Sequence, residues 1–464
     1  MSEPLRALRG THDVLPGESD KRRALERIAE HVLESAGYRR IETPIFEATE
    51  LFHRGVGAST DVVQKETYTF DDRGDRSVTL RPEGTAGVAR AYVEHGMHKL
   101  PQPVRLWYWG PFFRYERAQA GRQRQFWQFG AEALGSDDPA LDAESIVLQH
   151  RIVTRFLEQA AVDPVRRRAV TGELDGEAYG AAADAAQAAS PARGLRLRLG
   201  SLGSLESRAA YRERLTAYLR EHEDRLSGEV RARIDLNPLR AFDSDDPSTR
   251  EVMAGAPLLL DHLDAADAEH FAEVRALLDD AGIAYEIDPT LVRGLDYYSR
   301  TVFELTSDAL GAQSGVGGGG RYDGLVEQVG GPATPAFGWA SGIERLLLVA
   351  GEEFDPAALR RPSTYVIWAE GRRREAFALA RALTERGHAA QLDLAGRGFK
   401  GQRRRADRAD PHYLATVDDD GAITVRDRDA GVEETVADVA AAASRVHRWA
   451  WPDDDPQDGG PPAA

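Results

Sequence analysis

Three arginines stand in separate segments of the chain, each with neighbours suited to a ligand site. Arg114 follows an apolar run at the end of a predicted strand, and Arg293 precedes a pair of tyrosines. Arg345 lies on a predicted helix just after a glycine-studded strand. A guanidinium group can bind a phosphate through two parallel hydrogen bonds, or stack on a planar base. Together the three arginines predict a site for an anionic substrate.

Four consecutive glycines at 317–320 lead directly into Arg321-Tyr322-Asp323-Gly324. Glycine has no Cβ atom, so a glycine run lets the backbone approach a ligand closely. A flexible linker is the alternative interpretation, although linkers usually combine glycine with serine. The residues that follow the run directly favour the first interpretation.

Two short segments are basic within an acidic chain. Residues 114–128 hold four arginines against one glutamate, a net charge of +3, and a solvated charged hairpin remains the alternative there. Residues 397–408 hold six basic residues against Asp407, a net charge of +5. Because this second cluster opposes the bulk charge, it favours phosphate binding over a solvated helix face. Its basic residues are Arg397, Lys400, Arg403, Arg404, Arg405 and Arg408.

The bulk charge is strongly negative. The 464 residues include 59 Lys plus Arg against 76 Asp plus Glu, a net charge of −17, and only four of the basic residues are lysine. An acidic surface poor in lysine keeps a protein dispersed where salt screens charge, so we expect a halophilic microbial source. GC-rich codon usage would explain the missing lysine but not the acid excess.

Composition also excludes several classes of protein. The chain has no cysteine, which excludes disulfide scaffolds, Cys-ligated zinc, iron–sulfur clusters and thiol nucleophiles. No stretch approaches the roughly 18 apolar residues of a membrane helix. The first ten residues carry charges and lack the apolar core of a secretory signal. We therefore expect a cytoplasmic enzyme with no membrane partner.

The elements that must position these residues follow from the hydrophobic pattern. Residues 18–37 predict an amphipathic helix, and residues 41–46 predict a strand. Because Pro44 lacks a donor, this strand should lie at a sheet edge or an interface. A hairpin, a helix and two strands in direct succession then predict an antiparallel sheet, at residues 67–80, 83–95, 104–113 and 125–134. Residues 175–250 are dominated by Ala-rich, charged helical patterns, and residues 363–450 alternate as β-α-β-α-β, which implies a mostly parallel sheet.

The order of these motifs resembles that of the histidyl-tRNA synthetases, a family of class II aminoacyl-tRNA synthetases. The resemblance covers nearly all of residues 1–445 and begins at Leu-Arg-Gly-Thr-His-Asp-Val-Leu-Pro, residues 8–16. Class II motif 1 is matched by residues 18–46, motif 2 by residues 110–132 and motif 3 by residues 337–346. Two peptides specific to the histidine enzyme are matched by residues 291–298 and 319–324.

The resemblance implies an α+β fold in five parts. A class II catalytic domain with an antiparallel sheet and helices would be interrupted by a helical insertion and followed by an α/β anticodon-binding domain and a disordered acidic tail. In chain order the parts are residues 1–170 (catalytic), 171–250 (insertion), 251–355 (catalytic), 362–450 (anticodon-binding) and 452–464 (tail).

The resemblance also implies an activity and the partners of that activity. The enzyme would activate L-histidine with ATP to histidyl-adenylate and transfer the histidine to the 3′ end of tRNA(His). It would act as a homodimer through motif 1, with Mg²⁺ bridging the ATP phosphates and no metal ligands assigned within the chain. Two alternatives are a synthetase-like regulatory subunit of histidine biosynthesis, which usually lacks the anticodon-binding domain, and another class II synthetase.

Family roles transfer onto individual residues of this sequence. Arg114 and Arg293 would be catalytic and bind the α-phosphate of ATP, and Arg345 would bind its far end. The histidine site would consist of Glu83, Gly84, Thr85 and Gln128 around the amino group, Glu132 and Tyr298 at the imidazole nitrogens, and Tyr297 and Tyr322 shaping the pocket. Contacts to tRNA would come from Arg117, Gln119, Arg122, Lys400, Arg403 and Arg404.

The sequence departs from the family pattern at Trp127, where histidine is common. Gln128 and Glu132 nearby both match the family. We therefore interpret Trp127 as a packing difference, with its side chain directed away from the substrate.

Overall fold

The computed structural model describes residues 4–57, 60, 62–119, 121–170, 173–291, 295, 297–356 and 363–450. The chain divides into two compact units, Met1–Pro356 and Ala357–Ala464. The acidic tail predicted at 452–464 lies outside the described residues.

Helices and strands are interspersed along the first unit. They are α1 (Pro16–Ser35), α2 (Thr49–Phe52), α3 (Thr85–Glu94), α4 (Pro139–Val170), α5 (Gly176–Ala188), α6 (Leu205–Glu221), α7 (Gly228–Arg231), α8 (Pro247–Met253), α9 (Ala265–Asp280), α10 (Leu325–Gln328) and α11 (Ile343–Ala350). The strands are β1 (Arg39–Arg40), β2 (Phe46–Ala48), β3 (Thr69–Asp71), β4 (Ser77–Leu80), β5 (Val104–Phe113), β6 (Gln125–Leu134), β7 (Leu195–Ser201), β8 (Glu286–Ile287), β9 (Ser299–Ser307), β10 (Gly315–Arg321) and β11 (Ala336–Gly342).

Within the described residues of this unit, an eight-stranded sheet has the order β1-β5-β6-β11-β10-β9-β7-β8. Its central pairs are antiparallel, as predicted, and only the outer pairs β1–β5 and β7–β8 are parallel. Helix α1 buries Leu25, Ala29 and Leu33 in a core shared with α4 and the sheet. The sheet is therefore mixed, with a continuous antiparallel centre.

Two sequence predictions in this unit are wrong in part. No strand covers 41–45: β1 ends at Arg40 and β2 begins at Phe46, because Pro44 cannot donate to a ladder. The range 171–250 is not wholly helical, since it contains β7, which pairs along its length with β9. The alternating Leu-Arg-Leu-Arg-Leu of β7 buries Leu197 and Leu199, a period of two typical of a strand. Helices α6, α7 and α8 follow it, and Thr171 and Gly172 lie outside the described residues.

The second unit has the predicted β-α-β-α-β order with additions. Its elements are β12 (Thr364–Trp368), α12 (Arg373–Glu385), β13 (Ala390–Leu392), α13 (Phe399–Ala409), β14 (Tyr413–Val417), β15 (Ile423–Asp427), β16 (Glu433–Val436) and α14 (Val439–Ala450). The sheet order is β13-β12-β14-β15-β16, parallel over the first three strands and antiparallel over the last two. Helices α12 and α14 cover one face.

Candidate active site

A cleft of about 260 Å³ opens over the centre of the large sheet. It lies beside the arginine loop, by which we mean residues 114–119 and 121–124 between β5 and β6. Most of the residues predicted from the sequence line it: Glu83, Gly84, Thr85, Arg114, Arg122, Gln128, Tyr297, Tyr298 and Arg345. The structure thus brings together residues that are as much as 262 positions apart in the chain.

Arg114 is placed by the end of strand β5. Its Nε donates to the carbonyl oxygen of Pro82 at 2.9 Å, and its guanidinium lies 5.4 Å from the ring centre of Phe126. Its Nη1 lies 3.9 Å from the carboxylate of Glu116. These contacts fix the side chain at the cleft wall, where its planar group can face a phosphate.

Glu83 lies just before helix α3, and Thr85 is the first residue of that helix. The Glu83 carboxylate accepts the backbone N–H groups of Thr85 at 2.6 Å and Ala86 at 3.0 Å, so it satisfies orphan donors of the helix. Burial raises the pKa of Glu83. A bound ammonium group would compensate this buried carboxylate, which suits the predicted amino-group site.

Glu132 lies behind the cleft wall and is not among the residues that line it, and its predicted contact with the imidazole stays a prediction. It is fully buried, and three hydroxyl groups donate to it: Thr85 Oγ1 at 2.8 Å, Tyr108 at 3.3 Å and Tyr322 at 2.6 Å. Burial raises its pKa to about 8, although the hydroxyl donors act in the opposite direction. We call this group of four the hydroxyl cluster. Two of its members, Thr85 and Tyr108, form part of the cleft wall.

Tyr108 and Arg321 belong to this site but were not predicted. Gly84 and Gly130 leave room for the Tyr108 ring, since a Cβ atom on either would lie 2.5 Å from its Cζ atom. Arg321 is fully buried, is paired with Asp142 of α4, and donates to the Ser136 carbonyl oxygen at 2.9 Å. This pairing fixes the end of β10 and so positions the neighbouring Tyr322. In the sequence, a tyrosine within a strand and an arginine beside a tyrosine do not by themselves indicate a functional site. Their positions at the site depend on strand pairing, which the sequence does not give.

The glycine run is strand β10 and not a flexible linker. A Cβ atom at Gly317 would lie 2.3 Å from Ser341 Oγ, and one at Gly319 would lie 2.0 Å from the Gly338 carbonyl oxygen. The absence of Cβ atoms in the glycine run therefore first allows the neighbouring strands to pack closely against β10. Gly317 and Gly318 also line the cleft, as the prediction of ligand approach requires.

Arg345 occupies the other end of the cleft at the start of α11. It donates to the Gly315 carbonyl oxygen. Burial lowers the pKa of the Arg345 guanidinium, and the nearby Arg122 acts in the same direction. Two cations close together favour a bound anion. Arg122 also pairs with Glu116 at 3.3 Å.

Trp127 faces away from the cleft, as interpreted from the sequence. The guanidinium of Arg22 on α1 lies 5.5 Å from its ring centre. Its backbone N–H donates to the Glu344 carboxylate at 3.0 Å. The departure from histidine at this position is therefore a matter of packing against α1.

The remaining predicted residues fall into three groups. Arg293, the other predicted catalytic residue, lies outside the described residues. Arg117, Gln119 and Arg122 are exposed on the arginine loop. The basic residues of α13 are exposed as well, namely Lys400, Arg403, Arg404, Arg405 and Arg408.

Two kinds of feature are absent from the described residues. In that part of the chain no helix is long and apolar enough to cross a membrane. No group of three or more His, Cys, Asp or Glu side chains there could hold a metal ion.

A sheet with an antiparallel centre, a cleft over it that is lined by arginines, and a second unit of α/β type are the fold of a class II aminoacyl-tRNA synthetase. The model of the histidyl-tRNA synthetase family matches residues 10–244 and 239–346, and that of the anticodon binding domain matches residues 365–447. The chain belongs to the histidyl-tRNA synthetase family. Membership of this family makes it an enzyme that activates histidine with ATP and attaches it to tRNA.

Individual relatives are similar to this chain over most of its length. A histidine–tRNA ligase of Halorhodospira halophila is 46% identical over 432 residues, 91% of this chain and 93% of the relative. One of Desulforamulus reducens is 44% identical over 435 residues, 92% and 96% of the two chains. The solved apo histidyl-tRNA synthetase of S. aureus is 32% identical, with a TM-score of 0.74 over 96% of this chain and 100% of that one. Relatives come from diverse bacteria, so the expected halophilic source is not supported.

Proposed function

We propose that the cleft binds histidine at its Glu83 end and ATP at its Arg345 end, and joins them at Arg114. The single observation that carries this proposal is the lining of the cleft, which combines a buried carboxylate and hydroxyl groups with the guanidinium groups of Arg114, Arg122 and Arg345. In the reaction, a carboxylate oxygen of histidine attacks the α-phosphorus of ATP. The bond to the pyrophosphate oxygen breaks, and histidyl-adenylate and pyrophosphate form.

Histidine recognition uses the hydroxyl cluster. Each hydroxyl that donates to Glu132 keeps its oxygen lone pairs available to accept an N–H group of the substrate. Thr85 and Tyr108 are the members that reach the cleft, with Tyr298 beside them. Glu132 thus orients the acceptors from behind, while Glu83, Gly84, Thr85 and Gln128 bind the ammonium group. Tyr297 packs on Tyr298 and Tyr322, at ring-centre distances of 4.7 and 5.7 Å, and closes the apolar side of the pocket.

Arg114 and Arg293 are the proposed catalytic groups for adenylate formation. Charge develops on the α-phosphate as the carboxylate arrives, and fixed guanidinium groups stabilise that charge without reorganising. Arg345 binds the far phosphates of ATP. The role of Arg293 rests on the family resemblance of residues 291–298.

Mg²⁺ fits this site as an ion that enters with ATP. Carboxylates of Glu116 and Glu304 line the cleft, and Mg²⁺ is usually held by one or two carboxylates together with substrate phosphates and water. Glu304 and Glu116 would hold it, alongside the phosphates. When bound, the ion neutralises phosphate charge.

Binding of tRNA is assigned to two exposed basic surfaces. Arg117, Gln119 and Arg122 of the arginine loop lie next to the cleft, where the 3′ end must arrive for transfer. Lys400, Arg403 and Arg404 on α13 belong to the anticodon-binding unit. Activity on tRNA and a sequence without cysteine favour a cytoplasmic location.

A homodimer through α1 and residues 41–46 completes the proposal. Leu15, Ile45 and Phe46 are 66%, 44% and 58% exposed, which leaves an apolar surface for a second copy to cover. Sedimentation at micromolar concentration in high salt should give a dimer, and Phe46→Glu should give a monomer. Leu394→Glu, at a residue 85% exposed in the second unit, is the matched control. A monomeric parent protein would contradict the proposal.

Charging of tRNA tests the enzyme against its alternative. Labelled histidine, ATP and transcribed tRNA(His) should yield histidyl-tRNA in amounts that depend on all three. A regulatory subunit of histidine biosynthesis would form none. The match of residues 365–447 to the anticodon binding domain already disfavours that alternative, because such subunits usually lack this domain.

A further inference from the structure

Gly10 is a buried residue within an exposed stretch near the start of the chain. Residues 4–9 and 12–17 are exposed, whereas Gly10 is covered. Its carbonyl oxygen accepts two backbone N–H groups of the arginine loop and β6, from Arg124 at 2.7 Å and from Gln125 at 3.3 Å. The opening motif of residues 8–16 therefore contacts the loop that borders the cleft.

Only glycine fits this contact. The Gly10 backbone has φ = +86°, a region that other L-residues adopt at a cost. A Cβ atom there would lie 2.7 Å from Cγ and 2.8 Å from Cδ of Arg124, closer than carbon atoms approach without displacement. The close approach is thus required for the side chain of Arg124 to lie where it does.

Arg124 links Gly10 to the residues around Arg114 at the cleft. Its carbonyl oxygen accepts the backbone N–H of Arg114 at 3.0 Å. Its guanidinium lies 4.0 Å from the ring centre of Tyr115, and its Nε donates to the Glu116 carbonyl oxygen at 3.4 Å. Displacement of Arg124 would therefore shift the residues that flank Arg114.

We propose that Gly10 is a positioning residue: it holds the arginine loop in the conformation that directs Arg114 toward ATP. The contact acts on the ATP end of the cleft, because Glu83 and Thr85 lie beside the start of α3, and Tyr108 and Glu132 lie inside β5 and β6 and not on the loop itself. This inference rests on the proposed function of Arg114. It assigns a role to the N-terminal motif, which lines no part of the cleft.

The test compares Gly10→Ala with Gly17→Ala in the full-length protein. Gly17 lies in the same exposed stretch, and a Cβ atom there meets nothing within 4 Å. Gly10→Asn is the second variant, because asparagine tolerates positive φ but still carries the overlapping Cβ atom. Thermal unfolding confirms that each variant is folded at the assay temperature.

Two measurements are made on each variant. Trypsin cleavage of the folded protein after Arg117 and Arg122 should be about tenfold faster in the Gly10 variants, because local opening of the loop becomes easier. In ATP–pyrophosphate exchange, the KM for ATP should rise about threefold or more, while the KM for histidine stays within about twofold of the parent value. Gly17→Ala should match the parent protein in both.

The results separate this inference from the function on which it rests. A parent protein without histidine-dependent exchange would refute the proposed function, whereas the trypsin comparison stays informative without any activity. Gly10 variants with parental trypsin cleavage, or with equal rises in both KM values, would overturn the positioning role.

Discussion

Replacing Glu132 by glutamine tests the hydroxyl cluster most specifically. The carboxylate accepts hydrogen bonds from Thr85, Tyr108 and Tyr322 and has no solvent contact. An amide has one oxygen and one NH₂ group, so at least one hydroxyl must lose its acceptor and turn. A buried polar group left unsatisfied costs about 1–3 kcal/mol, which corresponds to a factor of about 5–150 in an equilibrium.

Pyrophosphate exchange above pH 8, where Glu132 is a carboxylate, measures where this cost appears. Glu132→Gln should raise the KM for histidine by that factor, because the hydroxyls that turn are the acceptors of the substrate N–H groups. The KM for ATP should change less than about twofold, since Arg114 and Arg345 lie on other elements. Glu144→Gln is the matched control, because Glu144 is more than a third exposed and pairs with Arg105 away from the cleft.

Glu132→Gln should also change how the free energy of unfolding depends on pH. Burial raises the pKa of Glu132 from 4.5 to about 8. The folded state therefore holds a proton that the unfolded state releases, and the stability present below pH 4.5 is lost as the pH rises toward 8. The free energy of unfolding of the parent should fall across this window relative to Glu132→Gln. A selective defect for ATP, or parallel pH profiles in the two proteins, would refute this account of Glu132.

Three further predictions follow from the geometry and the charge. Gly338→Ala should abolish most histidine activation, because its Cβ atom would lie 1.7 Å from Glu132 Oε2, whereas Gly176→Ala, in open space, should leave exchange unchanged. Replacing Arg403, Arg404 and Arg405 together with serine should weaken tRNA binding and flatten its dependence on salt while exchange is retained; equal losses in both assays would make the cluster structural. The melting temperature should rise from low to molar KCl, because 17 excess negative charges repel one another when unscreened, and a flat or falling curve would favour codon usage as the cause of the composition.

Much of the local structure can be predicted from the sequence. The predicted strands 104–113 and 125–134 agree with β5 and β6 at both ends, because each is an apolar run bounded by turn-forming or polar residues. The sequence does not predict strand β7, because its short alternation lies among Ala-rich helices, where the helical period of 3.6 residues dominates any longer window. The prediction that Pro44 is unfavourable for strand pairing is confirmed, but the proline interrupts the predicted strand between Arg40 and Phe46.

The site was predictable as a set of residues but not as an arrangement. Glu83, Thr85, Arg114 and Arg345 line the cleft as expected. The burial of Glu132 depends on strand register, which places it opposite Gly338, and on a tyrosine 190 positions later in the chain. Neither the register nor the pairing of Arg321 with Asp142 can be obtained from spacing along one sequence.

The cleft is proposed to activate histidine and to reject other amino acids. ATP–pyrophosphate exchange with each of the twenty amino acids in turn, across a series of salt concentrations, tests it most directly. Exchange should depend on histidine alone at every salt concentration that supports activity. Exchange that is absent with all twenty, or that another amino acid supports as well as histidine does, would contradict the claim.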